Sequence, residues 1–103
     1  MAGHPLKIFE KIDPEFLRLV KTTNAFALAD GALPRKTKFL IAMASDASEG
    51  AVERVRPLAG QAMKAEANRE EIVETLRTAQ SICGVGSVYT AARAFKDLFA
   101  DPV

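Results

Sequence analysis

The sequence predicts an all-α domain, and three observations support this fold class. Apolar residues recur at spacings of three and four positions rather than two, which is the period of one helix face. Proline and glycine fall mostly between the periodic segments, where they begin or end helices. The 103-residue chain is 49% apolar and 26% charged, an ordinary composition for a globular protein. We therefore expect about five helices in one domain, 1–103.

The first helix is predicted from its cap. Asp13 is a favourable N-cap residue, and Pro14 suits the first helical position because its missing N–H has no partner there. Apolar residues then form one broad stripe until Asp30-Gly31 ends the helix, namely Phe16, Leu17, Val20, Ala25 and Phe26. The pattern indicates an amphipathic helix with a single buried face.

The next two helices differ in how clearly they are marked. A second helix is predicted from Pro34 to about Asp46, and it has so little polar surface that we expect it to be central. A third segment, 48–65, carries Gly50 near its start, and Pro57 removes a backbone hydrogen bond from a continuous helix. We expect a kink or a late start in this segment.

Two more helices complete the predicted fold. Asn68 precedes three charged residues and caps a fourth helix, which ends at Cys83-Gly84. Four apolar residues of this helix are expected to face the core, namely Ile72, Val73, Leu76 and Ala79. A last helix is predicted over 87–98, followed by a loose tail at 101–103.

Charge and composition argue against several classes of function. The 14 Lys and Arg residues nearly balance the 13 Asp and Glu residues and are interleaved with them, so nucleic acid is not an expected partner. No apolar stretch reaches the length of about 18 residues that predicts a membrane span, and the first residues lack the apolar centre of a signal peptide. We therefore expect a cytoplasmic protein with no membrane partner. Its single His and single Cys lie at opposite ends of the chain, so we expect no metal site and no cofactor.

Three segments occur in an order that resembles a known family. They read ADGALPRKTKFLIAMA at 29–44, ANREEIVETL at 67–76 and CGVG at 83–86. The chain resembles the carboxymuconolactone decarboxylase and alkylhydroperoxidase D superfamily, in which one helix starts as Leu-x-Arg-Lys-Thr-Lys and a later one as Ala-Thr-Arg-Glu-Glu-Ile. The matching residues are Gly31, Leu33, Arg35, Lys36, Thr37, Lys38, Ala67, Arg69, Glu70, Glu71 and Ile72. The resemblance implies an alkylhydroperoxidase D-like helical fold with a core of about 9–99. It also implies assembly into a homotrimer or a hexamer, with the third and last helices near the interfaces.

The resemblance also implies where a redox site would lie. In the redox branch, a CxxCxxxH helix and an upstream Glu form a dithiol and a proton relay, because two thiols three residues apart form a disulfide and the histidine moves protons. Aligned without a gap, the four positions fall on Phe39 for the glutamate, Ala51 and Arg54 for the cysteines, and Leu58 for the histidine. Residues 39–66 contain neither Cys nor His. A dithiol peroxidase mechanism is therefore excluded.

A second branch of the family resembles this chain more closely at one turn. The γ-carboxymuconolactone decarboxylases lack the cysteine pair, keep a histidine on the same helix and often show a Cys-Gly turn before the last helix. Cys83-Gly84 matches the turn, but Leu58 replaces the histidine. Removing a carboxylate as CO₂ needs a proton donor beside the developing enolate. Decarboxylation would then depend on Arg54 with Glu53 or Tyr89.

Few other residues are suited to chemistry. Arg54 occupies the second cysteine position, and we expect it to bind a small anionic ligand together with Glu53, since a guanidinium pairs well with a carboxylate. A solvated charged helix face is the alternative for this pair. Cys83 is expected to be a buried structural residue, because a helix C-terminus disfavours the thiolate. His4 is expected to be a solvated terminal residue without a catalytic role.

Three functions remain open from the sequence. The first is a non-redox protein that binds a small carboxylate or has a structural role in an oligomer. The second is a decarboxylase or lactone-processing enzyme with an acid/base group other than histidine. The third is an antioxidant protein of the peroxidase type that depends on Cys83, either alone or paired across subunits. The sequence leaves open the substrate, any remaining activity and the choice between trimer and hexamer.

Overall fold

A computed structural model describes residues 5–96, 98 and 99, and within them all regular structure is helical. The elements are a 3₁₀ helix at Pro5–Ile8, α1 at Phe9–Ile12, α2 at Pro14–Leu28, α3 at Arg35–Ser48, α4 at Val52–Lys64, α5 at Arg69–Cys83 and α6 at Gly86–Phe95. The all-α prediction is confirmed, and the five predicted helices correspond to α2–α6. The sequence patterns missed the two short helices before Asp13. The predictions for His4 and for 101–103 fall outside the described residues.

Side-chain caps fix two of the helix starts where the sequence predicts them. The Phe16 N–H donates to Asp13 Oδ1 at 3.1 Å, with Pro14 in the first helical position. At the start of α5, the Glu71 N–H donates to Asn68 Oδ1 at 2.8 Å, and the Asn68 N–H donates to Glu71 Oε1 at 2.9 Å. This reciprocal capping box satisfies two N–H groups that the helix itself leaves without partners.

A tight turn joins α3 to α4. Gly50 has φ of +79°, a left-handed conformation that favours glycine, and the Ala51 N–H donates to the Asp46 carbonyl at 2.9 Å. These are the marks of a Schellman ending to α3. Helix α4 then begins at Val52 and continues through Pro57, so the predicted late start of this helix is confirmed.

The core lies where α3, α4, α5 and α6 meet. Helix α3 contacts each of the other three, which confirms its predicted central place. The main cluster of buried residues consists of Met43, Ala47, Val55, Ala59, Ile72, Leu76, Ala91 and Ala94. Half of its members are alanines, so the helix backbones approach closely. Among the described residues, the chain has no helix long and apolar enough to cross a bilayer.

The structure corrects three details of the predicted elements. Helix α6 ends at Phe95 rather than Leu98, although the Phe99 N–H still donates to the Phe95 carbonyl at 3.0 Å. Val73 is partly exposed instead of facing the core, because it lies on the outer side of α5. The predicted single stripe of α2 is also wrong, since Leu17 is its one buried residue and Phe26 is 84% exposed.

Ser87, near the start of α6, is buried with a hydroxyl that has no hydrogen-bond partner among the described residues. A buried polar group in this state loses its hydration without compensation. We predict that Ser87→Ala raises the free energy of unfolding by about 1 kcal/mol, as measured by urea denaturation. Ser81→Ala on α5 is the control for helix propensity, because the exposed Ser81 hydroxyl donates to the Thr78 carbonyl at 2.9 Å. A loss of stability in Ser87→Ala would show that the hydroxyl is satisfied.

Glu71 also joins α5 to α3. Lys36 Nζ donates to Glu71 Oε2 at 2.9 Å. This hydrogen bond, and next the one from the Asn68 N–H, lowers the pKa of the Glu71 carboxyl below its ordinary value. A lowered folded-state pKa means that the ionised carboxylate stabilises the fold above the unfolded-state pKa of about 4.3. The contribution is lost as the pH falls through the folded-state pKa.

We predict that Glu71→Gln lowers the Tm at pH 7 and that this difference shrinks as the pH falls below about 4.3. Glutamine keeps an acceptor for the capping box but removes the charge that Lys36 pairs with. The measurement is Tm by circular dichroism between pH 7 and pH 2. Glu70→Gln in the same helical turn controls for the helix dipole. A Tm difference that stays constant over this range would contradict the prediction.

Candidate functional site

The four positions that the family resemblance assigns to a redox relay do not share one environment. Phe39 on α3 is buried in a cluster with Ala62 and Ala67, and Leu58 of α4 packs against that cluster. Ala51 is half-buried at the turn before α4, whereas Arg54 is exposed. The structure therefore brings Phe39 and Leu58 into one apolar cluster, and it leaves Arg54 outside this cluster.

Arg54 makes an ion pair at the turn between α3 and α4. Its Nε donates to Asp46 Oδ2 at 3.0 Å, and the side chains are 71% and 17% exposed, respectively. Both residues flank the Gly50 turn, so the pair links the last turn of α3 to the first turn of α4. Part of the guanidinium that was expected to bind an anion is thus engaged by a carboxylate of the same chain.

Glu53 lies one residue from Arg54 but lines a different feature, a cleft between α4 and α6. This cleft has a volume of about 610 Å³ and is lined by Val52, Glu53, Arg56, Pro57, Gly60, Arg93, Ala94 and Leu98. Neighbouring residues on a helix point about 100° apart, so Glu53 and Arg54 do not share a wall. Tyr89, the other residue considered as an acid, is exposed on α6.

A larger cleft opens at the other end of the α3–α4 pair, beside the buried Phe39 ring. Its volume is about 770 Å³, and its walls are Asp30, Pro34, Arg35, Lys36, Phe39, Gln61, Lys64, Ala65 and Glu66. We refer to it as the Phe39 cleft. It is formed by the first turn of α3 and the last turn of α4, together with the loops that flank them. Its volume lies within the range of roughly 300–1,000 Å³ that is usual for small-molecule sites.

Three basic side chains surround the Phe39 cleft. The Arg35 guanidinium lies 5.2 Å from the centroid of the Phe39 ring, a cation–π distance that holds its charge beside the apolar wall. Lys36 is paired with Glu71, and Lys64 lies in the last turn of α4. With Asp30 and Glu66 counted against them, the charged side chains in the walls sum to +1 from three basic and two acidic groups.

Two acidic residues of the cleft have structural roles. Asp30 Oδ1 accepts a hydrogen bond from the Arg35 N–H at 2.7 Å and so caps the start of α3. Glu66 has φ of +78°, the left-handed conformation in which a helix usually ends with glycine. The Ala67 N–H donates to the Ala62 carbonyl at 2.9 Å, which completes this ending of α4. A side chain in this conformation costs roughly 1–2 kcal/mol relative to the right-handed one.

Cys83 is exposed, and the prediction that it is buried is wrong. It is the last residue of α5, and Gly84, the residue that ends the helix, has φ of +99°. The groove beside it is lined by uncharged residues of α3 and α5, including Ser45 and Ser48. The described residues contain no group of three His, Cys, Asp or Glu side chains that would hold a metal ion.

Sequence reasoning overlooked the cationic residues of the Phe39 cleft. Arg35 and Lys36 belong to the sequence block that carries the family resemblance, where they mark a helix start, and nothing in that block shows which side chains face a cavity. Lys64 carried no signal, because a lysine in the last turn of a helix is ordinary. The one indication of this cleft in the sequence was Phe39, because this residue aligns with the relay glutamate of the family and lies in the cleft wall.

Comparisons with known proteins identify the family and agree with the helical fold. The carboxymuconolactone decarboxylase family profile matches residues 14–97. No curated protein matches the chain at a significant level. The crystal structure of an apo carboxymuconolactone decarboxylase family protein from Legionella pneumophila is similar to this structure. The TM-score is 0.81 and the sequence identity is 35%, over 88% of this chain and 81% of that one. Because the profile spans most of the chain and the fold is shared with a member at this identity, the chain belongs to the carboxymuconolactone decarboxylase family.

Proposed function

We propose that this protein is a family member without dithiol peroxidase activity and that it binds a small carboxylate in the Phe39 cleft. The observation that carries the proposal is the position of Arg35 and Lys64 around a cleft with an aromatic wall, beside Lys36, whose ammonium is shared with Glu71. A carboxylate with an apolar body fits this combination. Its charge meets the basic groups, while its carbon skeleton lies against the apolar part of the walls, which includes Pro34 and Ala65.

Helix dipoles support the choice of an anion. The N-terminus of α3 lies at the cleft, with Arg35 as its first helical residue, and a helix N-terminus favours negative charge. Lys64 compensates the opposite dipole at the C-terminus of α4. Arg35 is positioned by its contact with Phe39 and by the bond from its N–H to Asp30. The cleft thus combines basic side chains with the N-terminus of α3, where Asp30 already caps one N–H group.

We place binding ahead of decarboxylation because the residues predicted as acid or base lie outside this cleft. A decarboxylase needs a proton donor next to the bound substrate. The groups considered for this role, Glu53, Arg54 and Tyr89, are absent from the walls of the Phe39 cleft. Arg54 is already paired with Asp46 at 3.0 Å. A decarboxylase or lactone-processing enzyme therefore remains the alternative.

An antioxidant role for Cys83 has one observation in its favour, the exposure of the thiol. A reactive thiolate also needs a neighbouring cation, a base or a helix N-terminus. Cys83 lies at a helix C-terminus, and the groove that it lines has no charged side chain in its walls. This role is less well supported than carboxylate binding.

We propose further that the protein self-associates, as the family resemblance implies with a trimer or a hexamer. Many large apolar side chains are exposed on the single chain, among them Ile12, Phe26, Leu33, Ile41 and Ile82. Its radius of gyration is 14.8 Å, compared with about 13 Å for a compact domain of this length. Both features are usual for a subunit taken out of its assembly. The cytoplasmic location stays a prediction.

We predict that muconolactone and benzoate bind with an affinity that the charges in the Phe39 cleft control. Lys64→Gln should raise Kd about tenfold, because a hydrogen bond to a charged group contributes about 1.5 kcal/mol. Glu66→Gln should lower Kd, because it removes a like charge from the cleft. Isothermal titration calorimetry measures both changes. Changes in Kd of opposite direction for these two variants distinguish a site in this cleft from binding elsewhere.

Two controls accompany this measurement. Lys21→Gln removes a basic residue from α2, outside the cleft walls, and should leave Kd unchanged. Benzamide has a similar shape to benzoate without its charge and should bind more weakly to every variant. Equal Kd values for Lys64→Gln and the unmodified protein would refute the site. Release of CO₂ from the bound acid would favour the decarboxylase alternative instead.

A further inference from the structure

Helix α2 has two apolar faces, and one of them is largely exposed within the chain. Leu17 is the buried residue of the other face. Phe16 packs edge to face against Phe9 of α1, with ring centroids 5.6 Å apart. Phe16, Leu19 and Phe26 lie together on another side of the helix, because positions 16, 19 and 26 fall within about 80° of one another at 100° per residue. Their exposed fractions are 48%, 49% and 84%. We refer to these three residues as the α2 outer stripe.

A second apolar surface lies between α3 and α5. This groove has a volume of about 420 Å³, and it is lined by Thr37, Leu40, Ile41, Ala44, Ser45, Ser48, Thr75, Thr78, Ala79, Ile82 and Cys83. None of these side chains is charged. Ile41 is 51% exposed and Ile82 is 80% exposed. We refer to it as the α3–α5 groove.

We propose that the α2 outer stripe of one copy docks into the α3–α5 groove of a second copy. The inference rests on the self-association proposed above and assigns its contact surfaces. The dimensions agree, because Phe16 and Phe26 are ten positions apart and so span about 15 Å at 1.5 Å per residue, while Thr37 and Ser48 are eleven positions apart and span about 17 Å. A helix stripe and a groove between two helices are complementary shapes, as in helix-in-groove recognition.

The exposed area favours a second copy as the occupant. A buried aromatic side chain contributes roughly 150–250 Å², so the α2 outer stripe offers roughly 400 Å² of apolar surface. This is about half of the roughly 800 Å² per partner in a stable interface. In a reciprocal two-fold pair the stripe and the groove of each copy belong to the same interface, and the two contacts together reach that size. An uncharged groove also suits an aliphatic and aromatic stripe better than an ionic ligand.

The contact constrains the symmetry of the assembly. Stripe and groove are different surfaces, so the contact pairs unlike patches. Such contacts either repeat head to tail around a closed ring or occur twice in a reciprocal two-fold pair. In both arrangements every stripe is covered. Cys83, at the end of the groove, would then lie beside α2 of the neighbouring copy.

The first experiment places a charge in each surface and measures mass by light scattering on a sizing column. Phe26→Glu and Ile82→Glu should each convert the oligomer to a smaller species, because each buries a carboxylate in an apolar contact. Ala25→Glu on another side of α2 and Val73→Glu on the outer side of α5 are matched controls. Both controls should keep the assembled mass. The substituted positions are exposed in the single chain, so circular dichroism should show an unchanged helix content.

The second experiment uses the chain's single cysteine as a reporter. Glu15 and Ala27 flank the two ends of the α2 outer stripe. In mild oxidant, either Glu15→Cys or Ala27→Cys should form a disulfide with Cys83 of another copy, depending on the direction in which α2 lies. A disulfide requires Cα atoms within about 7 Å, and Cys83→Ser in the same variant should abolish the cross-linked band.

The outcomes separate this contact from the self-association on which it rests. A monomeric unmodified protein would overturn both proposals. An oligomer that both glutamate variants leave intact, with no cross-link to Cys83, would overturn only the docking of α2 in the groove. Dissociation by Phe26→Glu and Ile82→Glu, together with a cross-link to Cys83, would support it. Carboxylate binding is measured separately at the Phe39 cleft. If no carboxylate binds there, the proposed docking of α2 in the groove is unaffected.

Discussion

Close packing between α3 and α4 is the constraint on which the rest of the structure depends. Ala47 and Ala59 are fully buried in the main cluster with Met43 and Val55, and these small side chains allow the two backbones to approach closely. Gly50 supplies the left-handed turn that reverses the chain between the helices. A larger side chain at either alanine would overpack the interface. The helices α5 and α6 then cover the pair that this turn has formed.

This helical hairpin also explains why two ends of the same helix pair have different chemistry. At the Gly50 end, the last turn of α3 meets the first turn of α4, and Asp46 pairs with Arg54. At the opposite end, the first turn of α3 meets the last turn of α4, and Arg35 and Lys64 line the Phe39 cleft. The positions that align with a cysteine pair therefore lie near the turn. The cleft that suits an anion lies at the far end of the hairpin.

Local chemistry allowed much of the fold to be predicted, whereas the orientation of side chains did not follow from it. Asp13 and Asn68 mark helix starts because their side chains bond to nearby backbone N–H groups, which is a property of short sequence segments. The stripe of α2 shows which residues are apolar, but not that Leu17 and Phe26 face different surroundings. The exposure of Cys83 and the separation of Glu53 from Arg54 depend on tertiary packing in the same way. The cleft residue Lys64 gives no signal in the sequence, because the cleft requires two distant helix ends to meet.

Apolar side chains occupy two of the positions that the family resemblance assigns to a redox relay, Phe39 and Leu58. An ionisable group at position 39 or 58 would need a partner or water in a cluster that now contains Phe39, Leu58, Ala62 and Ala67. Apolar side chains remove that requirement and add buried surface. Glu66 differs from these stabilising apolar residues. Its left-handed conformation lowers the stability of the fold at a position where glycine would be unstrained. The strained residue lies in the wall of the cleft, whereas two of the aligned positions, Phe39 and Leu58, contribute apolar contacts. Any function that the fold retains is therefore more consistent with the charged rim at the end of α4 than with the packed interior of the hairpin.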